Sequence, residues 1–91
     1  MIAQYIQLGK RDWNVLVYYG VGEEDFVEVA DSLKQLGCSN SNIKRSLNVL
    51  LKENTGFTFS NTSYKMSIVC IGLASDISQF VNTAIHEAKH V

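Results

Sequence analysis

The amino-acid sequence predicts an α+β domain of order ββααββα, an antiparallel four-stranded sheet with three helices. Three observations point there. Ninety-one residues, 46% of them hydrophobic, suffice for one core and leave no room for a second domain. The apolar spacing switches between strand and helix periods along the chain. Turn-forming Gly, Asn, Asp and Ser cluster at the switches, and with no proline in the chain they alone mark the element boundaries.

The first hairpin is expected from Ile2, Tyr5, Ile6 and Leu8, the polar stretch Gly9-Lys10-Arg11-Asp12, and the Val-, Trp- and Tyr-rich run Trp13 to Tyr19. Gly20 and Gly22 end it. Glu23, Glu24 and Asp25 then put negative charge at a helix start, and Phe26, Val29, Ala30, Leu33 and Leu36 recur at helical spacing until Gly37. After the cap-rich stretch Cys38 to Asn42, Ile43, Leu47, Leu50 and Leu51 define a second helix that stops before Gly56. Phe57-Thr58-Phe59 and Tyr64 to Ile71 flank Ser60-Asn61-Thr62-Ser63 as a second hairpin, with Ile68 to Ile71 apolar enough to be buried on both faces. Asp76 with Gln79 has the form of a capping box. Ile77, Phe80, Val81, Ala84, Ile85 and Ala88 trace the apolar stripe of a third helix.

Charge and composition narrow the function classes. Eight Lys and Arg against nine Asp and Glu give a net charge of -1, which offers no basic footprint for nucleic acid or anionic lipid. The longest apolar run, Ile68 to Ile71, is far shorter than the roughly 20 residues of a membrane crossing, and no signal sequence opens the chain. Cys38 and Cys70 are too few for a disulfide framework and too far apart for a metal pair, so they read as free thiols of a reducing, cytoplasmic setting.

Both histidines fall in one pentapeptide, His86-Glu87-Ala88-Lys89-His90, an HExxH pattern on the predicted third helix. Residues four apart share a helix face about 6 Å apart along the axis, so two imidazoles can grip one zinc ion while the intervening carboxylate faces a bound water. Zinc lowers the pKa of such a water toward about 7, and Glu87 would take its proton as it attacks a polarised peptide carbonyl. At 100° per residue, His86 and His90 point away from the apolar stripe, beside Gln79 and Thr83, so they are not core residues.

The stretch Thr83-Ala84-Ile85-His86-Glu87-Ala88-Lys89-His90-Val91 resembles the active-site helix of the zincin metallopeptidases. Thr83 and the uncharged Ala84, Ala88 and Val91 match the family's flanking preferences; Lys89 departs from them. The resemblance implies zinc held by His86 and His90, Glu87 as general base, a peptide or protein substrate, and a strand beside the cleft that holds the substrate extended, for which Tyr64 to Ile71 is the candidate. Zincins take a third ligand downstream of the motif, where only Val91 remains, so the expectation is one zincin-like domain over residues 1–91, incomplete at its C-terminus and inactive as it stands. Glu23, Glu24, Glu28 or the Val91 carboxylate are substitute ligands without family precedent. Self-association through the uncovered polar face of the last helix is expected with truncation. The alternative is a small non-catalytic structural or protein-interaction module whose HExxH is accidental.

Other features read as structural. The acidic run Glu23-Glu24-Asp25 is a helix-dipole partner, and Lys34, Lys44, Arg45 and Lys52 form a solvated face. Trp13, Tyr18 and Tyr19 supply core bulk, and Cys70 acts as a small hydrophobe. The chain has no nucleophile elbow, phosphate loop or dinucleotide fingerprint.

Overall fold

The computed structural model describes residues 1–8, 12–53 and 56–72. Strands β1 (Ile2–Leu8) and β2 (Trp13–Val21) are followed by a 3-10 turn (Glu23–Asp25), helices α1 (Phe26–Gln35) and α2 (Asn40–Glu53), and strands β3 (Gly56–Asn61) and β4 (Met66–Gly72). The described chain is therefore α+β and runs ββααββ. The third helix expected from the stripe over 77–88 lies outside the described residues.

Each boundary has a local cause. Gly20, at φ +66°, sits where the β2 register shifts between Tyr19 and Val21, and this bulge returns Val21 to the core. The acidic run closes the turn that follows. Asp25 accepts a hydrogen bond from the Gly22 N–H through its carboxylate (3.0 Å), and its own N–H donates to the Gly22 carbonyl (3.0 Å). Helix α1 ends in a Schellman motif, with the Cys38 N–H on the Leu33 carbonyl (2.9 Å), the Gly37 N–H on the Lys34 carbonyl (3.0 Å) and Gly37 at φ +96°. Ser39 starts α2: its carbonyl accepts from Ile43 N–H at 3.0 Å and its hydroxyl from Asn42 N–H at 3.3 Å.

The second hairpin turns later than expected. Ser60 and Asn61 belong to β3, whereas Tyr64 and Lys65 belong to the connection. Asn61 holds the connection by accepting from the Ser63 N–H (2.9 Å), an Asx turn, and Lys65 closes it in the left-handed region at φ 52°.

The sheet order is β1-β2-β4-β3. Its outer pairs, β1 with β2 and β3 with β4, are antiparallel, but the central pair, β2 with β4, is parallel. This corrects the expectation of a wholly antiparallel sheet. The register supplies the reason. Tyr19 near the end of β2 and Gly56 at the start of β3 both align with Ile71 of β4, so the two helices carry the chain out and back to the end of the sheet it left. Strand β3 then enters antiparallel to β2, and β4 returns parallel to it. The two strands buried on both faces take the middle, where their apolar side chains are covered twice.

Two cores result. On the helix-bearing face Leu16, Tyr18, Ile68 and Cys70 meet Val29, Leu33, Leu36, Ile43, Leu47 and Leu50. On the opposite face Trp13, Val15, Val17, Val69 and Ile71 form a second buried cluster, with Ile6 and Tyr19 at its margin. Ser67 is the buried polar residue of this second face among the described residues. Its hydroxyl accepts from the Trp13 indole N–H (3.0 Å) and pairs with the Ser60 hydroxyl (2.7 Å), so among the described residues no buried polar side chain is left without a partner.

Candidate functional site

Of the side chains the sequence singles out for chemistry, His86, Glu87 and His90 lie outside the described residues. Glu23, Glu24 and Glu28 are exposed near the start of α1. Among the described residues no group of three or more His, Cys, Asp and Glu is placed to hold a metal ion, so these glutamates form no site of their own. Lys34, Lys44, Arg45 and Lys52 are all exposed on the helices, as expected of a solvated face. Among the described residues no helix is long and apolar enough to cross a membrane.

The expectation that Tyr64 to Ile71 supplies a substrate-holding strand is corrected. Strand β4 pairs with β2 along one side and β3 along the other, so its backbone groups are already spent in the sheet. The strands with one neighbour among the described residues are β1 and β3.

An open feature of the described surface lies beside β1. Helix α2 packs over β3 and β4, and Ala3, Tyr5 and Gln7, the β1 residues aligned with the helix-side positions Tyr18, Leu16 and Asn14, are exposed. Among the described residues this strip forms a cleft of about 330 Å³. Leu16, Leu36, Met66 and Ile68 give it an apolar lining, Ser32 and Gln35 of α1 a polar wall, and Tyr5 and Tyr64 an aromatic rim. Both rim tyrosines are largely exposed, at 69% and 64%.

Among the described residues the polar members of this lining are hydroxyl and amide groups. Ser32 shares its hydroxyl with the Tyr18 phenol (2.6 Å), and burial pushes the Tyr18 pKa up from its ordinary value against the opposing effect of that hydrogen bond. A phenol held in its neutral form is a poor general base, so Tyr18 does not activate Ser32. Among the described residues no histidine or carboxylate lines the cleft.

The cysteines are equally inert. Cys70 is fully buried, and desolvation pushes its thiol up to about 12; Cys38 is half-buried and its pKa is raised for the same reason. Trp13 and Tyr18 are core residues and Tyr19 is half-buried. The aromatic pair at the cleft is thus Tyr5 and Tyr64, which sequence reasoning did not single out. The available signal was Tyr5 facing outward in a strand without charges. No family model, curated protein or solved structure matches this chain.

Proposed function

We propose that the chain is a zincin-like zinc-binding domain of the metallopeptidase type, in which His86 and His90 hold the ion and Glu87 serves as general base toward a peptide bond. The observation that carries this reading is the HExxH pentapeptide, with both histidines of the chain four residues apart around a glutamate. The donor chemistry fits zinc, which favours neutral imidazole ligands and, in catalytic sites, a neighbouring carboxylate that takes a proton. Zinc would supply a Lewis acid. His86 and His90 would hold it, and Glu87 would accept the proton that water gives up as it attacks the peptide carbonyl. The sheet offers indirect support: Trp13, Val15, Val17, Val69 and Ile71 form an apolar layer, chemically matched to the stripe Ile77, Phe80, Val81, Ala84 and Ala88, and a helix using that stripe turns His86 and His90 outward.

Metal analysis of the purified chain, with cobalt substitution as a spectroscopic readout, tests the reading. The native protein and Glu87→Gln should bind one equivalent of metal, while His86→Ala and His90→Ala should each lose at least tenfold in affinity. A native chain that takes up no zinc or cobalt would end the metallopeptidase reading. It would leave the second one, a non-catalytic interaction module, which is favoured by the exposed Tyr5 and Tyr64 at an open cleft.

A further inference from the structure

The sheet presents an edge that is built to pair. Strand β1 reads Ile-Ala-Gln-Tyr-Ile-Gln-Leu over seven residues and has a strand neighbour on one side only among the described residues. It contains none of the usual devices that keep an edge single: no charge, no proline, and an unbroken register against β2. The opposite edge differs, since β3 is half-buried along its whole length and α2 packs against it. On β1, by contrast, Ile2 and Tyr5 are each 69% exposed.

We propose that β1 is a homodimerisation edge, pairing antiparallel with β1 of a second copy about a two-fold axis through Tyr5. The occupant follows from self-complementarity. Centring the pair on Tyr5 is the register that engages all seven residues: Tyr5 meets Tyr5, Ala3 meets Gln7, Gln4 meets Ile6 and Ile2 meets Leu8. Each pairing joins residues on the same face of the sheet, brings no like charges together, and leaves a net charge of only -1 per chain to oppose association. The described strands of the two copies become one continuous sheet. Tyr5 rims the cleft, so the two clefts lie side by side across the axis, with both phenol rings between them. A seven-residue edge is about 23 Å long and lies at the small end of specific interfaces, which sets the expectation of a reversible, concentration-dependent dimer.

Light scattering and sedimentation on the full chain test this, with the zinc site left intact. The native protein should move from monomer to dimer with rising concentration and go no further. Tyr5→Lys and Tyr5→Glu, each confirmed folded by circular dichroism, should stay monomeric, because each places two like charges face to face on the axis. Mixed one to one, the two variants should form a heterodimer, a rescue that a merely damaged strand would not show. Tyr64→Lys, at the cleft but off the strand, should dimerise as the native chain does. A native chain that is strictly monomeric at about 0.5 mM, a dimer that survives Tyr5→Lys, or growth beyond two copies would each overturn the proposal.

Discussion

Cys70 shows how strongly one position can depend on the layer above it. Its side chain lies on the helix-bearing face among Tyr18, Val29 and Leu33 in the same core cluster, and burial lifts its pKa from 9.0 to about 12. The unfolded thiol ionises above about 9, whereas the folded one remains protonated, so unfolding releases a proton in this window. The folded-state pKa is the higher of the two; the contribution to stability is therefore complete below about pH 9 and is lost as pH rises toward 12, at up to about 1.4 kcal/mol per pH unit. Burial raises Tyr18 as well, in the same sense. Urea unfolding across the alkaline range should show this decline, with a shallower slope in Cys70→Ala than in the native chain. Equal slopes would mean that the thiol is solvated. The identity of Cys70 as a small hydrophobe is legible in the run Ile68 to Ile71, because a strand buried on both faces leaves no outward position for it. The partnership of Ser67 with Trp13, 54 residues apart, is not legible, because it depends on β2 and β4 being neighbours.

The elements themselves are readable wherever the signal is local. The helix spacing from Phe26 to Leu36 and from Ile43 to Leu51 reproduces α1 and α2 to within a few residues, and Gly37 marks the end of the first for a specific reason. At φ +96° it is the left-handed residue of the Schellman motif, and a Cβ there would come within 3.3 Å of the Asn61 side-chain nitrogen, which donates to the Leu36 carbonyl at 2.7 Å. Gly37→Ala should therefore cost about 1–2 kcal/mol, measured by urea denaturation. Gly37→Asn should cost less than Ala if the penalty is backbone strain, since Asn tolerates that region; equal costs would place the penalty in the contact with Asn61. Strand neighbours and edges are a different matter. Period-two alternation fixes which face a residue takes but not which strand lies beside it, so the parallel centre of the sheet and the enclosure of β4 were hidden in the sequence. The cleft was hidden too, because it lies where α2 covers β3 and β4 and, among the described residues, no helix covers β1. The HExxH residues had the opposite fate: conspicuous as a motif, and outside the described residues.

At the scale of the whole molecule the sheet is shared property. Strands β2 and β4 send alternate side chains to two cores, Leu16, Tyr18, Ile68 and Cys70 to one and Val15, Val17, Val69 and Ile71 to the other. Neither core can lose its sheet wall without exposing the back of the other. A domain of this size has roughly 5–15 kcal/mol of stability in total, and removing a buried Ile side chain down to Ala costs about 2–5 kcal/mol. Ile68→Ala, on the helix-bearing face, and Ile71→Ala, on the opposite face, should therefore each shift the midpoint of one common transition. The two faces carry different reporters, since Trp13, the single tryptophan, belongs to the second cluster, while the far-ultraviolet dichroism includes α1 and α2 of the first. Fluorescence and dichroism should trace coincident urea curves in the native chain and in both variants. If Ile71→Ala moved the fluorescence curve and left the dichroism in place, the faces would be folding as separate units, and the shared sheet would be no more than a common scaffold.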